Sequence, residues 1–216
     1  MSGSTSRERL AAARLYAITP DLPPDQVERL VEGWIRGGAD IVQLRHKSLR
    51  RGRLLDLARR LARRCQEAEV PLIVNDHLDI ALLSGADGVH LGAEDLSTAV
   101  ARRLAGPALL IGASASTPAA GQAAEAAGAD YLGTGPAYPT PLKAEKEVIG
   151  PAGVAEVQAA VRLPVFAIGG IEPARLPELL RAGVGRVCVI RALAAEDPEA
   201  AARAFKAVLA AKNELP

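Results

Sequence analysis

The tripeptide Gly-Ala-Asp recurs three times in this chain, each time between an amphipathic stretch and a short apolar run. The copies lie at residues 38–40, 85–87 and 128–130, and Gly-Val-Gly at 183–185 occupies the fourth equivalent place. The glycine that opens each copy is well placed to follow a helix, because glycine readily adopts the left-handed conformation that ends many helices. The repeat therefore predicts a β-α-β-α unit used four times.

Eight short apolar runs alternate with the amphipathic stretches. The runs are mostly continuous, which is typical of strands covered on both faces. Eight strand–helix units imply a parallel sheet, and eight is the number that closes into a barrel. We expect a single-domain (β/α)8 TIM barrel over residues 1–216, frayed at about 1–10 and 213–216; a doubly wound open sheet is the alternative. The predicted strands are Leu15–Ile18, Ile41–Leu44, Leu72–Val74, Gly88–Leu91, Leu109–Ile111, Tyr131–Gly133, Val165–Ile168 and Arg186–Ile190.

Composition narrows the classes of function. A net charge of +1 gives no basic field for nucleic acid, and aromatic residues at 3% are too few for base-stacking platforms. No apolar run approaches the ~20 residues that span a bilayer, and the opening stretch lacks the apolar core of a signal peptide. Cys65 and Cys188 are far apart and have no metal-ligand spacing. We therefore expect reduced, buried thiols in a cytoplasmic protein without membrane or nucleic-acid partners.

Polar residues follow the second predicted strand, at the end of the barrel where such folds build their active sites. Strand alternation places Gln43, Arg45 and Lys47 on one side. Two cations with a neutral donor suit a phosphate or a diphosphate. The alternative is that both cations are loop charges in water, which is less favoured because Gln43 lies within the apolar strand.

Carboxylates follow the third and fourth strands. Asp76 and Asp95 lie at neighbouring strand ends, an arrangement that suits Mg²⁺ in front of a diphosphate. Each of them is also suited to cap the helix that follows. We expect His77 in the first turn of a helix rather than as a catalytic base, and His90 as a packed interior histidine.

The next two strands lead into segments with further candidates. Ser114 follows the fifth strand and is a candidate ligand hydroxyl. Residues 133–146 form the longest irregular segment, and long loops in compact barrels are often lids. From such a lid Lys143 would reach a diphosphate; the alternative is a solvated surface lysine.

A phosphate site is predicted after the last two strands. Gly169 and Gly170 precede a helix start, where backbone N–H groups can approach an anion, and barrels usually bind phosphate after strands seven and eight. A plain tight turn is the alternative. Arg191, at the end of the eighth strand, would close on the same phosphate. The sequence thus predicts a diphosphate-and-metal site near strands two to four and a monophosphate site near strands seven and eight.

Five motifs occur in one order between about Leu15 and Leu193. The motifs are Gln43-Leu44-Arg45-x-Lys47, Asn75-Asp76, Gly88-Val89-His90-Leu91-Gly92-x-x-Asp95, Gly133-x-Gly135-Pro136-x-Tyr138-Pro139-Thr140-x-x-Lys143 and Ala167-Ile168-Gly169-Gly170-Ile171. Each motif alone is weak, but five in register are specific. With them the chain resembles the thiamine phosphate synthase family.

The resemblance implies a reaction and its residues. Hydroxymethylpyrimidine diphosphate loses pyrophosphate in a largely dissociative step, and the thiazole phosphate nitrogen captures the pyrimidine to give thiamine phosphate. A homo-oligomer is compatible with this assignment. The resemblance implies that Asp76 and Asp95 bind Mg²⁺, and that Arg45, Lys47 and Lys143 stabilise the charge on the leaving pyrophosphate. It implies that Gln43 and Asn75 orient the pyrimidine diphosphate and that Ser114 contacts the substrates or the pyrophosphate. Thiazole phosphate binding is implied for Thr140, Gly169 and Gly170.

Four residues depart from the family's pattern. Ala93 stands where Gln is frequent, Ser116 where His is usual, Leu142 where a second Thr is usual, and Arg191 where Ser is common. A thiazole tautomerase-like isomerase is one alternative, but it relies on the His that Ser116 replaces and lacks the carboxylate of Asp95. A non-catalytic paralogue that binds phosphorylated ligands is the other, and the departures are what motivate it.

Overall fold

The apolar runs form eight parallel strands that pair in chain order, and the last strand closes on the first. The computed structural model describes residues 4–141 and 147–210. Hydrogen bonding runs from β1 through β8 and back to β1 in a closed barrel, so the chain is the predicted (β/α)8 barrel. The strands are β1 Leu15–Ile18, β2 Ile41–Leu44, β3 Leu72–Asn75, β4 Gly88–Leu91, β5 Leu110–Ser114, β6 Tyr131–Thr134, β7 Val165–Ile168 and β8 Val187–Val189.

Strand bounds differ from the prediction mainly at the mouth of the barrel. Three strands extend past their apolar runs to the polar residues Asn75, Ser114 and Thr134. All three residues follow the predicted ends of these strands, at Val74, Ile111 and Gly133. Ladder pairing continues through Asn75 and Ser114, so these two side chains project from rigid strand ends.

The amphipathic stretches form the helices between the strands, and the repeat glycines end four of them as predicted. Gly38, Gly85, Gly128 and Gly183 all have positive φ, between 75° and 92°. The helices are α1 Ser6–Ala12, α2 Pro24–Arg36, α3 Arg51–Glu67, α4 Leu78–Ser84, α5 Thr98–Ala105, α6 Pro118–Ala126, α7 Gly150–Ala160, α8 Leu176–Arg181 and α9 Pro198–Ala210.

The aspartates of the repeat form hydrogen bonds at the N-terminal ends of the strands, opposite the mouth of the barrel. Asp40 accepts hydrogen bonds from the first amide of β1 and the one before it, at 2.8 and 2.9 Å. Asp87 accepts from the first amide of β3 at 2.9 Å, and Asp130 from the second amide of β5 at 2.7 Å. The three aspartates therefore join β1, β3 and β5 to the turns that enter β2, β4 and β6, at the end of the barrel opposite the mouth.

Residues 6–10, part of the segment expected to fray, lie in helix α1, and residues 1–3 lie outside the described residues. Helix α1 begins in a reciprocal capping box between Thr5 and Glu8, a motif that satisfies two otherwise free amides. Its Leu10 is 3% exposed and packs into the barrel interior, and Ser6 and Arg7 bond two of the repeat aspartates. Helix α1 thus closes the N-terminal end of the barrel. Residues 213–216 lie outside the described residues.

The core has two layers. One lies between the strands and the helices, and the other fills the barrel with Tyr16, Tyr131 and Phe166 among aliphatic side chains. The three rings lie 5.5 to 5.8 Å apart between centroids. Cys65 and Cys188 are buried and neither is in a disulfide, as predicted. Within residues 4–141 and 147–210, no helix combines the length and apolar character needed to cross a membrane.

Candidate active site

Two adjoining cavities open at the mouth of the barrel, where the strands end. The first cavity has a volume of about 450 Å³ and lies mainly at the ends of β2 to β5. The second cavity has a volume of about 410 Å³ and lies at the ends of β7 and β8. Ile168, Cys188 and Ile190 line both cavities. The mouth therefore has two ends with different linings, which adjoin at these three side chains.

The first cavity brings together side chains that the sequence analysis selected from four different strands and the loops after them. Its predicted members are Gln43, Arg45, Lys47, Asn75, Asp76, Asp95 and Ser114, and Tyr16, His90 and Glu94 also line it. Lys143 lies outside the described residues, so its predicted contact with a diphosphate stays a prediction.

Asp76 and Asp95 are not helix caps. The residue that caps α4 is His77, and α5 is capped by Ser97, whose hydroxyl accepts from a helix amide. Asp76 lies in the left-handed region at φ 64°, which is uncommon for a residue with a side chain and is typical of functional sites. Asp95 accepts a hydrogen bond from the Gly92 amide at 2.7 Å. The capping alternative is wrong for both carboxylates, which are held over the first cavity instead.

The pKa values of the two carboxylates shift in opposite directions because their surroundings differ. Lys47 Nζ lies 2.6 Å from Asp76 Oδ2. Partial burial raises the pKa of Asp76, but the hydrogen bond and charge of Lys47 outweigh burial and hold that pKa below its usual value. Burial raises the pKa of Asp95, the Gly92 amide lowers it, and the negative charge of Asp76 adds to the net rise. Two adjacent carboxylates with one lysine leave an excess of negative charge that suits a cation.

The sequence analysis missed Asp21, which orients the cations after β2. Its carboxylate lies 3.0 Å from Arg45 Nη1 and also accepts a hydrogen bond from the backbone amide of Lys47. Asp21 follows the end of β1 by three positions. The rule that site residues follow strand ends could have found it. Arg45 therefore points along the rim of the first cavity and is not a free solvated charge.

A chain of hydrogen bonds forms the floor of the first cavity. Gln43, which is 2% exposed, donates from Nε2 to the Tyr16 hydroxyl at 2.7 Å. The Tyr16 and Tyr131 hydroxyls lie 2.8 Å apart. His90 lies between Tyr131 and Ser114, with Nδ1 at 3.3 Å from the Tyr131 hydroxyl and Nε2 at 3.1 Å from Ser114 Oγ. His90 is thus not simply a packed interior histidine, because its half-buried ring faces the cavity.

The second cavity is shaped by backbone. Gly169 and Gly170 have φ of 101° and 62°. A Cβ on Gly169 would lie 2.6 Å from Pro136 Cβ, and one on Gly170 would lie 2.6 Å from the Pro139 carbonyl oxygen. Both positions require glycine, so the turn is more specialised than a plain tight turn. The predicted residues Thr140 and Arg191 line the same cavity.

The metal prediction depends on two carboxylates only. Within residues 4–141 and 147–210, no group of three or more His, Cys, Asp or Glu side chains is placed to hold a metal ion. A structural zinc-type cage is therefore not part of the described fold. Mg²⁺, in contrast, is commonly bound through one or two carboxylates together with substrate phosphates and water.

The fold and the mouth define a class: TIM-barrel proteins whose strand ends carry cationic side chains and a glycine turn suited to phosphorylated small molecules. Residues 15–193 match the family model described as thiamine monophosphate synthase. The chain belongs to that family.

Relatives named for this activity are similar over most of the chain. A thiamine-phosphate synthase of Gloeobacter violaceus is 46% identical over 91% of this chain and 58% of its own length. One of Shouchella clausii is 42% identical over 91% of this chain and 96% of its own length. The solved thiamine phosphate pyrophosphorylase from Pyrococcus furiosus superposes with a TM-score of 0.86 at 35% identity, covering 95% of this chain and 98% of that one. The chain thus spans a little over half of the Gloeobacter relative.

Proposed function

We propose that this chain is a thiamine phosphate synthase, a transferase that joins hydroxymethylpyrimidine, supplied as its diphosphate, to thiazole phosphate and releases pyrophosphate. One observation carries the proposal: a cavity with a carboxylate–lysine cluster and a glycine-walled cavity adjoin at the mouth of the barrel and share three lining residues. Two phosphorylated substrates can then meet between two anion sites. We place the enzyme in the cytoplasm, in line with its composition.

The first cavity suits the pyrimidine diphosphate. Lys47 and Arg45 supply positive charge at the rim, and negative charge grows on the pyrophosphate as the carbon–oxygen bond breaks. Preorganised cations favour that charge in the transition state. Gln43 and Asn75 line the cavity more deeply and are suited to orient the pyrimidine. Lys143 would add a further positive charge from the segment after β6.

Mg²⁺ fits the remaining donors of this cavity. Asp76 and Asp95 would hold it, because they present two carboxylates with a single lysine between them and the diphosphate supplies further oxygens. When bound, Mg²⁺ neutralises charge on the leaving pyrophosphate. Asp76 also holds the Lys47 ammonium, 2.6 Å from its Oδ2, at this end of the mouth.

The second cavity suits the thiazole phosphate. Gly169 and Gly170 line this cavity, and backbone amides in such glycine turns bind anions well. Thr140 lies at one edge of the cavity and Arg191 at another. Arg191 stands where the family commonly has Ser, and its guanidinium can bind a phosphate in a bidentate way. No protein nucleophile is needed, since the thiazole nitrogen of the second substrate attacks.

The isomerase alternative is less well supported. It relies on a histidine at position 116, but Ser116 is exposed and is not among the residues that line either cavity. It also has no use for Asp95, which here is held toward the first cavity. The same carboxylate–lysine set argues against the second alternative, a non-catalytic paralogue that binds phosphorylated ligands. Binding alone does not require groups that stabilise charge on a leaving group.

The test is product formation from the two substrates. Purified protein is incubated with hydroxymethylpyrimidine diphosphate, thiazole phosphate and Mg²⁺, and thiamine phosphate and pyrophosphate are quantified. We expect equal amounts of both products, and loss of both on addition of EDTA. A sample without thiazole phosphate controls for simple hydrolysis. A folded sample that binds both substrates and forms no product would contradict the proposal.

A further inference from the structure

The floor of the first cavity contains a continuous set of hydrogen bonds that crosses the barrel. Five strands contribute one residue each: Gln43, Tyr16, Tyr131, His90 and Ser114. The two tyrosines are fully buried, so their hydroxyls must be satisfied by protein groups. The ends of the set, Gln43 and Ser114, line the first cavity. The interior of the barrel thus connects two substrate-facing side chains.

The direction of these bonds follows from the first donor. The amide N–H of Gln43 can only donate, so the Tyr16 oxygen accepts it. The single proton of Tyr16 is then directed to the Tyr131 oxygen, and the Tyr131 proton to His90 Nδ1. A neutral imidazole that accepts at Nδ1 carries its proton on Nε2. That proton points to Ser114 Oγ, 3.1 Å away.

We propose that this one-way set of hydrogen bonds, the Gln43–Ser114 relay, positions the Ser114 hydroxyl as a donor to an anionic oxygen of the substrate. Because Ser114 accepts from His90, its own proton is left for the cavity. A hydroxyl that donates to a phosphate oxygen makes a short, charge-assisted bond. Tyr16, Tyr131 and His90 are positioning residues that act through Ser114. The assignment of the oxygen to the diphosphate substrate rests on the proposed function.

Two further features support a built relay. A Cβ on Gly112 would lie 2.6 Å from His90 Nδ1 and closer still to the Tyr131 hydroxyl, so glycine at this position of β5 leaves room for the bond between them. Burial also raises the pKa of Tyr16 and of Tyr131 well above the ordinary tyrosine value. Both hydroxyls therefore keep the protons that the relay requires.

The first test reads the proton position directly. Protein labelled with ¹⁵N-histidine is studied by long-range proton–nitrogen correlation in slightly alkaline buffer. We expect His90 to carry its proton on Nε2, and this preference to weaken in Tyr131→Phe. His46 is an internal control, because its Nε2 faces the Leu22 carbonyl at 3.0 Å and must donate in both proteins. A proton on Nδ1 of His90 in the unmodified protein would overturn the relay.

The second test separates positioning from general stability. We expect Ser114→Ala and Tyr131→Phe each to lower kcat about tenfold to a hundredfold, the range for losing a donor to a charged group. Because Tyr131 acts through Ser114, the double variant should be about as slow as Ser114→Ala alone. Multiplicative losses in the double variant would show that Tyr131 has only an independent structural role and would overturn the proposal. Thermal unfolding of each variant controls for folding.

A failure of the proposed function and a failure of the relay can be told apart. Absence of thiamine phosphate formation by the unmodified protein would remove the proposed function, while the ¹⁵N spectrum would still decide the relay. If Tyr131→Phe does not fold, the spectrum of the unmodified protein and the comparison of His90→Gln with His90→Ala remain. Gln can donate from its amide to Ser114, so His90→Gln should retain more activity than His90→Ala. Equal losses in these two variants would contradict the relay.

Discussion

The two ends of the barrel mouth are organised by different parts of the chain. In the first cavity, side chains hold each other: Lys47 lies 2.6 Å from Asp76, and Asp21 orients Arg45. In the second cavity, backbone determines the shape, because Gly169 and Gly170 have positive φ and no room for a Cβ. Removing a side chain should therefore damage the first cavity most, and adding a methyl group should damage the second.

The difference matches what each end has to do in the proposed reaction. Charge changes at the diphosphate as pyrophosphate leaves, so fixed charged groups lower the barrier there. The thiazole phosphate keeps its charge throughout, so backbone amides that simply hold it are sufficient. Variants in the first cavity should then affect kcat, whereas variants in the second should affect the KM for thiazole phosphate.

The largest effect is expected for Asp95→Ala. It removes one of the two carboxylates that would hold Mg²⁺, and we expect kcat to fall by about a hundredfold or more. Steady-state kinetics across a Mg²⁺ titration is the measurement. Asp56→Ala is the matched control, since Asp56 is exposed on α3. Unchanged turnover and Mg²⁺ dependence would remove Asp95 from the metal site.

Gly170→Ala should have the next largest effect. The new Cβ would meet the Pro139 carbonyl oxygen at 2.6 Å in a left-handed backbone, and we expect the KM for thiazole phosphate to rise tens of fold, with a stability loss of about 1–3 kcal/mol. Gly85→Ala is the control, because its φ of 75° imposes similar backbone strain with open space around the Cβ.

Both glycine variants should lose stability, but only Gly170→Ala should lose thiazole phosphate affinity. An equal KM change in the two variants would mean that backbone strain acts through the whole barrel. A change in the KM for the pyrimidine diphosphate alone would mean that the two ends of the mouth are assigned the wrong way round.

The barrel and the rim of the site could be predicted because both follow from local rules. The Gly-Ala-Asp repeat predicted the number of strand–helix units, and its glycines follow helices and have positive φ. Reading the polar residues in and just after the apolar runs predicted Gln43, Lys47 and Asp95 as site residues, and all three line one cavity. These signals lie within a few residues along the chain, so no long-range information was needed.

The floor of the first cavity could not be predicted in the same way. Tyr16 and Tyr131 lie inside apolar strands, where an aromatic side chain normally indicates packing, and their hydroxyls meet across the barrel. The role of Asp76 was ambiguous for a different reason. A carboxylate just before a helix can either cap that helix or face the active-site cavity. The role that Asp76 takes depends on the residue at which α4 begins. Because α4 begins at Leu78, its capping position is His77 and not Asp76.

Arg191→Ala removes an exposed cation from the lining of the second cavity and should have the smallest of these effects. Arg191 is an exposed residue at the edge of that cavity, so its attraction for a phosphate is partly screened by salt. We expect the KM for thiazole phosphate to rise about fivefold, the upper range for an exposed charge pair, with kcat nearly unchanged.

Ionic strength sharpens this last prediction. In the unmodified protein the KM for thiazole phosphate should rise as salt is added, and in Arg191→Ala that dependence should be weaker, because one screened charge is gone. Arg103→Ala, an exposed arginine on α5, controls for the change in net charge. If Arg191→Ala instead raised the KM for the pyrimidine diphosphate, Arg191 would serve the first cavity, and the glycine turn would hold the thiazole phosphate without a side-chain cation from β8.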